Sequence, residues 1–509
     1  MTNLKRCHSV SIAQPNIRVR NILALLGKDA QPFIVFQKRD RSLRNSLYTI
    51  VALDPSVTVS IKGRNASLKF SDGTFENRRI DECPFEFLRS IQTEYAKGFD
   101  LREIDKSIEF AAGMIGYFGF GLIHTIEDVK RQTSDPLDVP DSVAIVPQTI
   151  ISIDHQAGTV NVLSQESMQR AEELAVRLVF ADSFELADEI CATQTSSRED
   201  KVRFESVIRK EQFIENVDAA KQFIEEGQCF QIVLSQRFVA KAAISATDIF
   251  ANLLDTAPST YNYLLSFPEF QYLGASPETM VNVKEKRIQL CALAGTRPRG
   301  QTQAQDKQNE CELKRNEKEL AEHRMLVDLG RNDLGKVCRA GSIQVGPIAQ
   351  VLKYSNVMHL GTEISGQLED DQDSFSALKA CFPRGTVSGA PKVRAMELLA
   401  ELEVEQRGIY SGAVGFFDAR GHMDTAIAIR SALIKNGEVS VNAGAGIVYD
   451  SVPEHEYMET VNKARAIIQV IENTATNVSV SPGRTSIDNA SSGDSQPEFT
   501  VNAAKVGAY

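Results

Sequence analysis

In the stretch NEKELAEHRMLVDLGRND, Glu319 and Glu322 stand three residues apart, which puts both carboxylates on one face of a helix. In EHEYMETVNKARAIIQVIE, Glu456 and Glu459 repeat the spacing, and Lys463 falls one turn further along the same face. Tyr457, Val461, Ala464, Ile468 and Ile471 cover the other side. Hard carboxylate oxygens presented from two helices suit Mg²⁺, which takes few carboxylates and completes its shell with water and substrate oxygens. The same spacing also describes a solvated helix face, so each helix alone leaves both readings open.

Three glycine-rich segments, ALAGTRPRG (292–300), RGTVSGAPK (384–392) and NAGAGIV (442–448), read as turns. Such turns present backbone N–H groups to a carboxylate or phosphate, and they also occur as ordinary tight turns. None matches G-x-x-x-x-G-K-[ST] or G-x-G-x-x-G, so a nucleotide site is not supported. Arg430 lies in the apolar, strand-like run AIAIRSALI, where a buried guanidinium needs an anionic partner, either a bound carboxylate or a protein Asp or Glu. His359 follows an apolar run, as structural histidines often do. In GQCFQ (227–231), Phe230 and Gln231 occupy places that a nucleophilic cysteine turn would give to small residues, so Cys229 is not read as a nucleophile.

The elements that must position these groups read as α+β. Short β-like runs, PFIVFQ, YTIVAL, VTVSI and ASLKF, fill 32–70, and 142–154 with 159–164 reads as a hairpin. Helical periodicity appears around 17–26, 84–99, 165–200, 211–227, 311–331, 372–381, 390–403 and 454–472. FAAGMIGYFGFGLI (110–123) reads as a close sheet crossing. Strands and helices do not alternate regularly, which excludes a doubly wound sheet. The 509 residues divide into a β-rich part (1–200), a site-bearing part (201–473) and a Ser/Asn/Thr/Gly-rich tail (474–509) expected to be disordered. A net charge of −11 disfavours nucleic acid as a partner. The eight cysteines form no C-x-x-C pair, which fits reduced thiols. With no apolar leader and no run of about 18 apolar residues, a cytoplasmic chain that neither enters nor spans a membrane is expected. The chain contains no Trp.

Together the segments resemble one family, the chorismate-utilising enzymes, and within it the large (synthase) subunit of anthranilate synthase. The resemblance is carried by GASPE (274–278), AGTRPRG (294–300), EHRMLVDLGRND (322–333), YSNVMHL (354–360), GTVSGAPKVRAMEL (385–398), YSGAVGFF (410–417), AIAIRS (426–431) and AGAGIVYDSVPEHEYMET (443–460). These motifs span roughly 211–472 in the family's order, while the N-terminal part is similar only through GMIGYFGFGL and its strand pattern.

The resemblance implies large, mostly antiparallel β-sheets packed as a sandwich with helices outside. It implies conversion of chorismate and ammonia to anthranilate and pyruvate, with Mg²⁺ held by Glu322, Glu456 and Glu459 and with Glu319 beside them. Arg430, Tyr410, Gly444, Gly446 and Lys463 would hold the enolpyruvyl carboxylate, and Thr296 and Thr386 would hydrogen-bond the substrate. Glu278 would be the general acid on the C4 hydroxyl, and His359 would serve the later loss of pyruvate. Relatives that add water carry a Lys where this chain resembles Gln231, and relatives that make 4-amino-4-deoxychorismate carry a Lys where it has Ala294. Two alternatives stay open: a 2-amino-2-deoxyisochorismate synthase that stops before pyruvate loss, and an inactive binding subunit. No glutaminase segment is evident, so a glutamine amidotransferase partner in a hetero-oligomer is implied. Feedback-inhibited members carry effector motifs where this chain reads FIVFQKRD (33–40) and TAPSTYNYLL (256–265). The changes at Gln37, Lys38, Thr260 and Asn262 imply weak or no tryptophan binding, as would suit secondary metabolism.

Overall fold

A computed structural model describes residues 5–13, 17–26, 32–40, 46–95, 99–101, 104–181, 202–354 and 357–477. Alternating apolar residues near the N-terminus form β1 (Phe33–Asp40) and β2 (Ser46–Lys62). YTIVAL and VTVSI, expected as two strands, are one: β2 bends at Asp54 (φ 49°), and its register against the next strand shifts between Pro55 and Val57. The glycine-rich segment yields β3 (Gly113–Phe118) followed by a 3₁₀ turn, and β4 (Ser142–Asp154) pairs with Thr159–Ser164 as the expected hairpin.

The second half contributes β5 (Gln231–Lys241), β6 (Tyr261–Ser266), β7 (Gln271–Ser276), β8 (Thr279–Lys284) and β9 (Arg287–Pro298). It continues with β10 (Val357–Gln367), β11 (Ala413–Asp418), β12 (Met423–Ile427), β13 (Ser431–Lys435) and β14 (Glu438–Ile447). Hydrogen bonding runs β5–β14–β13–β7–β6–β1–β2–β4–β3–β11–β12–β8–β9–β10, with every pairing antiparallel. The boundary at residue 200 therefore divides the chain but not the sheet, since β1 pairs with β6 and β3 with β11.

The sheet folds over itself. Phe36 of β1 meets Phe416 of β11 edge-on, ring centroids 5.8 Å apart, although the two strands are not neighbours. Between the layers lie Phe36, Ile115, Tyr117, Tyr261, Tyr263 and Phe416, all fully buried. Alternation sends Val35 and Leu264 to the outer face. There they pack under α1 (Val19–Leu26), α3 (Met168–Ala181), α5 (Ala246–Thr256) and α10 (Pro453–Asn477). The other outer face is covered by α2 (Pro84–Tyr95), α7 (Glu317–Gly335), α8 (Ser374–Cys381) and α9 (Lys392–Leu402). α4 (Lys210–Glu225) packs with α9 and β5 in a smaller cluster. The α+β sandwich with helices outside is borne out.

Three helix boundaries differ from expectation. The helix expected over 84–99 ends at Tyr95, and Phe99–Asp100 is a short strand. The single helix expected over 311–331 is two, α6 (Gln303–Arg315) and α7, because the Asn316 side chain caps α7 by accepting from the Glu319 N–H at 3.1 Å. The helix expected to end at 472 continues to Asn477, since Thr474 is buried and accepts a hydrogen bond from Asn252 at 3.0 Å. Residues 478–509 of the tail, and the polar stretch 192–200, lie outside the described residues.

Candidate functional site

Glu278 stands in the corner between β7 and β8 and is 8% exposed. Burial pushes its carboxyl above the usual range, against the opposing charge of Arg384, a hydrogen bond from Thr386 and the charge of Lys463. The Thr386 hydroxyl donates to Glu278 Oε1 at 2.9 Å from the 3₁₀ turn Gly385–Val387. A carboxyl that holds its proton more tightly than usual is equipped to arrive protonated and donate it.

β9 and β10 bring Thr296 opposite His359 across a bulge at Gly295, whose φ is 64°. A Cβ there would lie 2.9 Å from Glu319 Oε2, so both conformation and space call for glycine. His359 Nδ1 lies 3.0 Å from the Gly295 carbonyl and 3.1 Å from Thr296 Oγ1. An Nδ1–H donated to that carbonyl leaves Nε2 as the basic nitrogen. Burial lowers the His359 pKa, the Gly295 bond opposes this, and the Arg430 charge adds to it, a balance that favours the neutral ring.

Arg430 is not within a strand, as AIAIRS had suggested. It is the linker between β12 and β13, in the left-handed region at φ 53°. That conformation is disfavoured for a residue bearing a side chain. Nη1 donates to the Lys463 carbonyl, and Tyr410 and Glu459 are the facing groups whose charge opposes the effect of burial on Arg430. Lys463 Nζ in turn donates to the Gly444 carbonyl at 2.9 Å and pairs with Glu459 at 2.7 Å.

The segment holding Gly444 and Gly446 is a strand and not a turn: Gly444 opposes Ser235 and Gly446 opposes Val233 within β14 and β5. Glycine here serves close approach, since a Cβ on Gly446 would lie 2.6 Å from Gln231 Nε2. Of the other two segments read as turns, 292–300 is the bulged end of β9, and 384–392 holds a 3₁₀ turn and a short strand against Gln231 and Ile232.

The four carboxylates come from α7 and α10. Burial raises the Glu322 pKa, and the neighbouring charges of Glu319 and Glu459 raise it further. Burial also raises Glu456, with Glu459 adding to it against a hydrogen bond involving Ser451. Gln231 Nε2 donates to Glu322 Oε1 at 3.1 Å, while its own Oε1 is buried without a hydrogen-bond partner. Among the described residues no three acidic, His or Cys side chains converge closely enough to cage an ion as they stand. Glu459 is engaged by Lys463, and Glu319 by Arg297 at 3.2 Å. The donor set nevertheless fits a hard divalent cation: mutually repelling carboxylate oxygens, partly buried, beside an orphaned amide oxygen.

Two buried groups escaped the sequence reading. Arg384 is 3% exposed, donates from Nη2 to the Cys291 carbonyl at 3.2 Å, and has an unpartnered Nε. Arg407 and Glu403 form a buried ion pair at 2.6 Å, and Arg407 also donates to the carbonyls of Val233 and Val387. Arg384 sits inside a quoted motif, but nothing in its spacing distinguishes it from a surface arginine. Cys229 is buried, and burial raises its thiol, which accords with the rejection of a nucleophile there.

The sequence pattern of the chorismate binding enzymes matches residues 32–469. The chain belongs to that family. Within it, the chain is one of the anthranilate synthase component 1 proteins. It is 36% identical to anthranilate synthase component 1 of Acetivibrio thermocellus over 84% of this chain and 87% of that one. It is 40% identical to the Aquifex aeolicus (strain VF5) protein of the same name over 74% of this chain and 78% of that one. The crystal structure of anthranilate synthase component I from Streptococcus pneumoniae TIGR4 superposes with a TM-score of 0.69 at 34% identity, covering 82% of this chain and 92% of that one. The menaquinone-specific isochorismate synthase of Escherichia coli shares the chorismate-binding fold at 20% identity and a TM-score of 0.64, over 91% of this chain and 94% of that one. Among the described residues no helix is long and apolar enough to cross a membrane.

Proposed function

We propose that this chain converts chorismate and ammonia to anthranilate and pyruvate. The observation that carries the reading is Glu278: a carboxyl held toward its protonated form by burial, fixed by Thr386, in a site that also offers the half-buried cations Arg430 and Lys463. Its proton would go to the departing C4 hydroxyl, which leaves as water while ammonia adds at C2. Arg430 and Lys463, with Tyr410 beside them, would hold the enolpyruvyl carboxylate against the Gly444–Gly446 stretch of β14. Thr296 would hydrogen-bond the substrate next to His359. His359 would take the C2 proton as the C3–O bond breaks and the ring becomes aromatic, and the departing enolate, protonated at its methylene carbon, becomes pyruvate.

Glu322, Glu456 and Glu459, with Glu319 beside them, would hold Mg²⁺. When bound, the ion supplies positive charge that offsets the substrate's ring carboxylate against these acids. Gln231 supports ammonia over water as nucleophile, because an amide is no base for water and its free Oε1 is an acceptor suited to an N–H donor. A glutaminase partner supplying that ammonia is part of the proposal, supported by the component naming of the relatives.

The test is product analysis with chorismate, Mg²⁺ and ammonium. Anthranilate fluorescence with equimolar pyruvate is expected. A non-fluorescent amino acid without pyruvate would overturn it in favour of 2-amino-2-deoxyisochorismate as the end product.

A further inference from the structure

A buried guanidinium ordinarily sits against a carboxylate, because leaving the charge unpaired in the interior is costly. Arg384 breaks this pattern. It is 3% exposed, its Nε has no hydrogen-bond partner, and Nη2 reaches only the Cys291 carbonyl at 3.2 Å. It forms no ion pair among the described residues. Its backbone is built in firmly: the Arg384 carbonyl accepts from the Ser388 hydroxyl at 2.9 Å and from the Val387 N–H at 3.1 Å. Two residues on, Thr386 donates to Glu278. One turn therefore delivers both a hydrogen bond and a buried positive charge to the same carboxyl.

We propose that Arg384 is a positioning residue for Glu278, kept free of an ion pair so that its charge acts on that carboxyl across the Gly385–Val387 turn. The proposal rests on Glu278 being the acid of the proposed reaction. The groups facing Glu278 are Arg384 and Thr386 from the turn, Lys463 from α10 and Cys291 from β9. Burial pushes the Glu278 carboxyl up, and Arg384 is the largest opposing influence. Without it the acid would hold its proton too tightly to release it to a leaving hydroxyl at working pH.

The experiment is the pH profile of kcat/KM for R384M, R384Q and R384K in the full chain, with chorismate, Mg²⁺ and ammonium. Each is expressed as a ratio to the unaltered protein at the same pH, which cancels the protonation of ammonia itself. For the two neutral variants the alkaline limb moves up by about one pH unit, so the ratio rises about tenfold across it. R384K keeps the original limb. A ratio independent of pH, however low, would mean a purely structural role and would overturn the proposal. So would the failure of both neutral variants to fold while R384K folds with a shifted limb. E278Q separates the two claims: if it retains turnover, the acid assignment itself fails. If it is inactive while the R384M ratio is flat, only the role of Arg384 fails.

Discussion

Glu278 has to be protonated to serve as an acid, and its surroundings set how that state couples to folding. Its pKa is raised in the folded chain, so its contribution to stability is fully present below the unfolded carboxyl range. That contribution is lost as pH rises through the folded value. Glu278→Gln removes the titration. The expected outcome is turnover reduced by 10²–10⁴-fold, roughly the contribution of general acid catalysis. The melting temperature of the variant should rise relative to the parent between pH 5 and pH 8, and thermal melts at those two pH values check the sign. Glu459→Gln tests the cation site, because this carboxylate already divides its charge with Lys463 at 2.7 Å. Turnover at saturating Mg²⁺ should fall by at least about 10–100-fold, the range seen when even supporting groups of a metal site are lost; unchanged activity would refute the metal assignment. Spacing alone picked out the four carboxylates Glu319, Glu322, Glu456 and Glu459, whereas Glu278 and the role of His359 came only with the family resemblance. Arg384 stayed hidden because burial of a single cation depends on what folds over it, not on its sequence neighbours.

Strands and turns place these groups, and two of them carry consequences of their own. Arg407 and Glu403, side chains 2% and 7% exposed, tie the end of α9 to β5 and to the Thr386 turn through the Val233 and Val387 carbonyls. Arg407→Met leaves a buried carboxylate unpaired and should cost about 3–5 kcal/mol in denaturant unfolding. A chain as stable as the parent would show the pair to be dispensable. At the β1–β6 pairing, Gln37 donates to Thr49 at 3.1 Å and accepts from Asn262 at 3.2 Å. Lys38 pairs with Asp424 at 2.5 Å, and Asp424 also accepts from Tyr48 and Tyr261. Gln37 and Asn262 thus satisfy each other and Lys38 is already paired, leaving these groups little to offer an incoming amino acid. Activity should be unchanged by L-tryptophan, and half-inhibition at micromolar concentrations would sink this expectation. Periodicity foretold most elements, but AGAGIV looked like a turn because glycine marks both turns and close backbone contacts. AIAIRS looked like an unbroken strand because nothing in an apolar run announces a left-handed residue.

At the scale of the whole molecule, the candidate site lies on the second half of the chain while the sheet that carries it does not. Cys229, in the turn weighed as a nucleophile site, is buried with its thiol raised. The purified chain should therefore form product with ammonium but not with glutamine until an amidotransferase is added. Glutamine-dependent turnover by the chain alone would contradict the proposed division of labour. The α+β class was readable from the order of elements. The interleaving of the two halves was not, because local pattern says which segments are strands and not which distant strand each will meet. That interleaving has a consequence during synthesis. Val35 pairs with Leu264, and Tyr117 with Val414. At about 5–20 residues per second, the first of these strands waits on the order of 10–50 s on the ribosome for its partner. Through that interval FIVF and GMIGYF are apolar strands lacking a neighbour along one edge. The nascent chain's need for chaperone protection is thus written into the order in which its strands emerge.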